Sequence, residues 1–445
     1  MQLKVSPSAG LKGEIEVPGD KSISHRSVMF SALSDGKNTI TNFLPSEDCF
    51  RTVECFRAMG VKVNISPDKK SLAVFGEGLG GLKEPKDILY VGNSGTTIRL
   101  MLGILAGQPF QTMITGDESI KRRPMKRVVD PLRKMGAIIT GKQDGNFAPL
   151  EVRGGNLSAI EYTLPVASAQ VKSALMLAAL FAKGTTKIIE PLPSRDHTER
   201  MFGHFGIPFT KENNIISVQT PHAASVPGFL PANIEIPGDI SSASFFIVAG
   251  IIIPDSEILI KNVGLNPTRT GIIDVLCAMG ANIAISNEKT LSGEPRGDIR
   301  IKTSKLKGIT IGGEIIPRLI DEIPIIAIAA TQAEGQTVIL DAKELRVKES
   351  DRVSTICDML KKMGAKAKET PDGMIIEGPC RLKGAEIESR GDHRIAMSAA
   401  IAGLIAKDEM VIEDTECIKT SFPGFDILLS NLLRRQPTAE FGDTV

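Results

Sequence analysis

Two kinds of apolar pattern alternate along the chain. In the first, apolar residues recur at helical spacing behind a charged start, then run into Met-Gly and a short β-prone stretch. The copies are "RTVECFRAMGVKVNI", "RVVDPLRKMGAIIT", "RTGIIDVLCAMGANIAI" and "RVSTICDMLKKMGAKAK", with a weaker one in "RDHTERMFGHFGIPFT". Each reads as an amphipathic helix that a glycine ends in the left-handed region, followed by a strand. In the second pattern a small or polar opening leads into a nearly all-apolar helix. Its copies are "GDKSISHRSVMFSAL", "GNSGTTIRLMLGILA", "ASAQVKSALMLAALFA", "GDISSASFFIVAG", "LIDEIPIIAIAATQA" and "GDHRIAMSAAIAGLIA". A helix apolar on every side must be buried on every side. Short strand patterns such as "TVILDA" and "EMVIED" follow these helices.

The openings lie roughly 72–80 residues apart, so six units fill the chain. Solenoid repeats are shorter, about 20–50 residues. Larger α/β units predict two globular domains of three units each, with the all-apolar helices at the centre of each. "NIEIPGDISSASFF" repeats the layout of "EIEVPGDKSISHRSVMF", so the chain start and the region near 235 occupy corresponding places. The expected division is 1–20 with 235–445 as one discontinuous domain and 21–234 as the other, joined by two crossings and hinged there.

A length of 445 residues supports two cores. A formal net charge of +1 argues against a general polyanion binder, so any preference for anions must come from local clusters. Nucleic acid is not expected as a partner, since tryptophan is absent and only two tyrosines could stack on bases. The apolar runs near 174–182 and 395–406 are too short to span a bilayer. Six cysteines without a CxxC pair or metal-like spacing read as buried free thiols in a reducing compartment. "MQLKVSPSAG" has no signal-peptide character, and a cytoplasmic location is expected. The final "QPTAEFGDTV" reads as a tail without an assigned role.

Chemistry concentrates at the openings of the apolar helices. A helix N-terminus presents unpaired N–H groups and partial positive charge, which suits anions. Lys21, Ser22, His25 and Arg26 open the first helix, and Asn93, Ser94, Gly95, Thr96 and Thr97 precede Arg99 in the second. "GNSGTT" lacks the GxxxxGK[ST] pattern of a nucleotide-triphosphate loop. Ser168 and Gln170 begin the third helix, Asp321 and Glu322 the fifth, and Asp392, His393 and Arg394 the sixth. "KRRPMKR" contributes Arg123, and "LRVKESDR" contributes Lys348, Glu349 and Arg352. Taken singly, each is an ordinary cap, solvated face or surface ion pair. Together they predict a positive cleft with carboxylates in it, suited to proton transfer on small anionic molecules without metal or nucleotide.

"PGDKSISHR", "GNSGTTIR", "KRRPM", "ASAQVKSALMLA", "SRDHTERM", "RVKESDR", "GDHRIAM" and "KTSFPGF" occur in order from about residue 6 to residue 430 and together resemble the 5-enolpyruvylshikimate-3-phosphate synthases. "ASAQVKSA", "SRDHTER" and "DEIPIIAIAAT" resemble the second bacterial class of that family. The resemblance implies an α/β fold of two domains, each of three βαβαββ units around buried parallel helices: the enolpyruvyl transferase fold, an inverse α/β barrel. It implies transfer of the enolpyruvyl group of phosphoenolpyruvate to the 5-hydroxyl of shikimate 3-phosphate, with no cofactor and no metal, and a monomer is expected. Carried over by position, Lys21, Asp321 and Glu349 would be catalytic. Lys21, Ser22, Arg26, Ser168, Ala169, Gln170, Arg195, Asp321 and Lys348 would bind shikimate 3-phosphate. Lys21, Asn93, Gly95, Arg123, Gln170, Arg352, Arg394 and Lys419 would bind phosphoenolpyruvate. Ala169 stands where many members carry a second phosphate-binding serine, which would shift that load to Ser168, Lys172 or Arg195. Glu344 stands where some relatives have Asn, and Gly95 is the small residue associated with glyphosate sensitivity. For His25 packing is the better expectation. Two other functions stay open at this stage: the related transferase acting on UDP-N-acetylglucosamine, and a non-catalytic phosphoanion binder on the same scaffold.

Overall fold

The computed structural model describes residues 1–220 and 229–434; the tail at 436–445 lies outside them. The six apolar stretches form the helices Lys21–Leu33, Gly95–Ala106, Ala169–Ala179, Ile240–Ile252, Ile323–Ala330 and His393–Gly403. Burial covers nearly the whole circumference of each, as in the fourth, where Ile240 through Ile251 are all buried. Side-chain oxygens of Asp20, Ser94, Ser168, Asp239 and Asp392 accept from main-chain N–H groups in the first turn of five of them. Such caps are worth about 1 kcal/mol each. The amphipathic helices end as predicted, with Gly60, Gly136, Gly206, Gly280 and Gly364 at positive φ.

Strands flank the helices in a repeated order. In the second unit Leu89–Tyr90 runs parallel to Gln111–Thr115, which pairs antiparallel with Phe147–Arg153, itself antiparallel to Ile138–Gly141. The fifth unit repeats this with Thr310–Ile311, Gly335–Ile339, Gly373–Gly378 and Lys366–Thr370. The first and fourth units exchange leading strands. Asn233–Glu235 lies beside Asp35–Thr41, and Lys12–Glu16 lies beside Glu257–Gly264. The sixth unit departs from the βαβαββ expectation. Its sheet has three strands, closed by Leu3–Val5 from the chain start, and the 3-10 helix Thr415–Thr420 follows its second strand.

The buried apolar residues fall into two clusters. One runs from Ile23 to Ile236, and the other joins Val5–Val17 to residues from Ile240 to Leu432. Ile234 and Ile236 bury into the first cluster, so the second crossing falls at Pro237–Gly238 rather than at 235. The two crossings bond reciprocally: Asp20 N–H donates to the Pro237 carbonyl and Asp239 N–H to that of Pro18, both at 2.8 Å. In the first cluster the second and third helices run parallel and nearly touch. Arg99 meets Gln170 near their starts, and a Cβ on Gly103 would lie 2.2 Å from the Ala174 carbonyl oxygen, so only glycine fits there. Of the six free cysteines, Cys49, Cys55 and Cys357 are buried while Cys277 is exposed, which departs from the expectation of uniformly buried thiols.

Candidate active site

The helix openings converge where the two cores meet. Lys21, first residue of its helix, forms an ion pair with Asp48 and donates its main-chain N–H to Asp239 at 3.2 Å. Burial alone would depress the Lys21 ammonium, but Asp48 holds it above its ordinary value. Four residues on, Arg26 is spent within the first core. Its nitrogens donate to Thr198 at 2.8 Å, Ser173 at 2.7 Å and the Ser22 carbonyl at 3.0 Å. Burial pushes it down to about 10. His25 is fully buried, and its Nδ1 is 2.7 Å from the Thr52 hydroxyl. Burial, then Lys21 and Arg26, hold it well below the usual imidazole range, so it packs as a neutral ring.

At the second opening Gly95 lets Arg123 come close. A Cβ there would lie 3.0 Å from Arg99 and 3.1 Å from the Arg123 guanidinium. Arg99 donates to Gln170 at 2.8 Å, and Gln170 donates to Thr96 at 3.3 Å. The Asn93 side-chain oxygen is buried without a hydrogen-bond partner. Ser168, Ala169 and Gln170 are half-buried at the third opening. Lys172 is not available to a ligand. It is fully buried, with its ammonium 3.1 Å from Glu190, 2.7 Å from Glu199 and 3.3 Å from the Ser194 carbonyl.

Facing these groups is the second core's cluster. Asp321 accepts from Lys348 at 3.2 Å, from Arg352 at 3.3 Å and, across the cleft, from Arg195. An aspartate beside a helix start is most often a cap, but Asp321 spends its carboxylate on three cations. Glu349 accepts from Arg352 at 2.7 Å and from Arg123 of the first core at 3.4 Å. Arg352 is 1% exposed and also donates to Asp392 at 2.8 Å, so the Glu349–Arg352 pair is not a surface pair. Arg394 lies 3.7 Å from Glu322. Burial would raise both carboxyls. Lys348 and Arg195 instead hold Asp321, and Arg352 and Arg123 hold Glu349, well below the usual carboxylate range. Burial, then Arg394 and Lys21, push His393 down to about 3.

The cleft therefore holds two ionised carboxylates, each pinned by cations from both cores. Lys419 instead pairs its ammonium with Glu416 at 2.7 Å, and its side chain is 53% exposed. Sequence reasoning missed Asp48, whose place in a helix's first turn looks like ordinary dipole complementation. It also missed the Arg127–Glu344 pair, 3.2 Å apart across the cleft. Arg269 was missed as well, and it donates to Asp20 at 3.2 Å and Asp239 at 3.4 Å, gripping both crossings. "KRRPMKR" already carried Arg127; nothing in the order of residues marks Arg269.

Known proteins resemble this chain in sequence and in fold. Residues 5–428 match the family model described as EPSP synthase (3-phosphoshikimate 1-carboxyvinyltransferase). The 3-phosphoshikimate 1-carboxyvinyltransferase of Desulforudis audaxviator is 54% identical over 97% of this chain and 99% of its own. That of Bacillus cytotoxicus is 55% identical over 95% and 98%. The solved EPSP synthase from Acinetobacter baumannii superposes with a TM-score of 0.86 at 45% identity, covering 97% of this chain and 98% of that one. The enolpyruvyl transferase NikO from Streptomyces tendae, 15% identical with a TM-score of 0.79, shares the fold. With its six helix openings, its paired carboxylates and these relatives along nearly its whole length, the chain belongs to the EPSP synthase family, the 3-phosphoshikimate 1-carboxyvinyltransferases.

Proposed function

We propose the following division of labour for the family reaction, which moves the enolpyruvyl group of phosphoenolpyruvate to the 5-hydroxyl of shikimate 3-phosphate and releases phosphate. The single observation that carries it is the pair of buried carboxylates, Asp321 and Glu349, each held by cations from both cores. A site for anion binding alone gains nothing from carboxylates among its cations. A transferase needs them, because one group must take a proton from the hydroxyl while another delivers one to carbon.

Asp321 takes the 5-hydroxyl proton, and the oxygen attacks C2 of phosphoenolpyruvate. Glu349 delivers a proton to the methylene C3, which gives C2 oxocarbenium character. In the tetrahedral adduct the C2–O bond to phosphate then breaks, the C3 methyl returns its proton to Glu349, and the enol ether and phosphate leave, phosphate taking the proton held by Asp321. Glu349 is ionised among Arg352 and Arg123. An anionic substrate competing for those arginines relieves that hold and raises the carboxyl toward protonation. Arg123, Arg352 and Arg394 neutralise the leaving phosphate, joined by Gly95, Asn93 and Gln170 along the phosphoenolpyruvate side. Lys419 is assigned there by family position, which requires it to leave Glu416. Lys21 and Lys348 lie between the two substrates. Ser22, Ser168, Ala169, Gln170 and Arg195 take shikimate 3-phosphate, and Arg26 frames that site from within. The two cores act as domains that close on the substrates about the paired crossings, excluding water. A monomer in the cytoplasm completes the reading, and the unpaired cysteines suit that reducing compartment.

The test is phosphate release with phosphoenolpyruvate plus shikimate 3-phosphate, against phosphoenolpyruvate plus UDP-N-acetylglucosamine. Release with the first pair alone is expected; no release with it would sink the reading. A second expectation concerns Gly95. Glyphosate should inhibit in competition with phosphoenolpyruvate, and Gly95→Ala should weaken that inhibition about tenfold or more, since an added methyl displaces Arg123 or Arg99. An inhibition constant already in the millimolar range for the unaltered protein would count against this assignment.

A further inference from the structure

Behind the shikimate-phosphate side lies a buried cluster that touches neither substrate in the reading above. Glu190 ends the strand side of the loop 191–196, and Lys172 lies one helical turn into the third buried helix. Lys172 is fully buried, Glu190 is 2% exposed and Ser194 is 4% exposed. Glu190 accepts from the Ser194 N–H at 3.1 Å, from the Ser194 hydroxyl and from Lys172 at 3.1 Å. Lys172 also donates to the Ser194 carbonyl at 3.3 Å and pairs with Glu199 at 2.7 Å. Both main-chain polar groups of Ser194 are thus held by one ion pair, and the residue that follows is Arg195.

Buried ion pairs are poor devices for stability alone, since apolar replacements of similar shape often do as well. What they supply is direction. A loop residue bonded at its N–H, its hydroxyl and its carbonyl fixes the backbone from which the next side chain departs. We propose that Glu190 and Lys172 are positioning residues that fix where Arg195 points, and so set recognition of the anionic sugar-acid substrate. The proposal rests on the assignment of Arg195 to shikimate 3-phosphate.

The test compares Glu190→Gln, Arg195→Gln and the double variant, measuring kcat and the KM of each substrate. Glu190→Gln should raise the KM for shikimate 3-phosphate about tenfold, the scale of a small misplacement, and leave that for phosphoenolpyruvate within about twofold. The double variant should match Arg195→Gln alone, because Glu190 acts through Arg195. A merely structural Glu190 would lower the thermal midpoint without this selectivity, or add its effect to that of Arg195→Gln; either result overturns the proposal while the site reading stands. If Arg195→Gln leaves the KM for shikimate 3-phosphate unchanged, the assignment of Arg195 fails and the proposal with it. Should Glu190→Gln not fold, Ser194→Ala removes one bond of the frame and should show the same selective rise in milder form; equal KM values for it and the unaltered protein would overturn the proposal.

Discussion

Asp321→Ala is expected to lower kcat by at least about a hundredfold, the scale of positioned acid–base catalysis, or about 2.7 kcal/mol of transition-state stabilisation. The 5-hydroxyl of a sugar acid is a poor nucleophile until its proton has somewhere to go. Asp321 is the carboxylate that Lys348, Arg352 and Arg195 surround, and they keep it ionised. A carboxylate held so low is a weak base in the free protein. In the proposed mechanism the phosphate and carboxylate groups of the substrates would draw those cations away, and its basicity would recover only with both substrates present. Asp321→Asn keeps the shape and some hydrogen bonding but cannot take the proton, so it should lose kcat nearly as fully while binding shikimate 3-phosphate almost as well. Steady-state kinetics of the two variants check this, and near-normal turnover in either would remove Asp321 from the mechanism. The same ion pairs set a pH dependence of stability. A carboxyl whose folded pKa lies below its unfolded value of about 3.9 contributes stability above that pH, and the contribution is lost as pH falls through the folded value. The thermal-midpoint gap between the unaltered protein and Asp321→Asn should therefore narrow below about pH 4 and stay flat near neutrality.

The parts of this picture that follow local rules were legible in the residues. Met-Gly at the helix ends, the Asp20 and Asp239 caps and the all-apolar helices each depend on neighbours within one or two turns, which periodicity reports directly. The echo of "PGD" at 18–20 and 237–239 marks the two stretches that bond reciprocally to each other. Partner choice was not legible. Arg26 and Lys172 look equally available beside a helix start, yet both find partners inside the first core, where His25 packs as expected. Asp48 becomes the partner of Lys21 only through tertiary contact between two helices. Arg269 grips Asp20 and Asp239 from far along the chain, and no spacing rule reaches across so many residues. A cation's role is decided by what the fold leaves facing it.

Lys21→Met is expected to cost at least about a hundredfold in activity as well, for a different reason. In the proposed mechanism Asp321 would move a proton, whereas Lys21 would carry a fixed positive charge where both substrates meet. Its main-chain N–H is tied to Asp239 and its ammonium to Asp48, and it remains protonated despite burial. In a low-dielectric cleft that charge stabilises the anion-rich transition state far more than it would in water. Methionine keeps the length and the apolar stem, so packing survives while the charge goes. Lys21→Arg keeps the charge but replaces a compact ammonium with a broad planar fork, and should restore only part of the rate. A confounding loss of stability is built into the test, because Asp48, 7% exposed, is left buried without its partner. The double variant Lys21→Met/Asp48→Asn separates the two effects. It should recover the thermal midpoint and none of the turnover; if turnover returned with stability, the role of Lys21 would be to keep Asp48 quiet rather than to act on substrate.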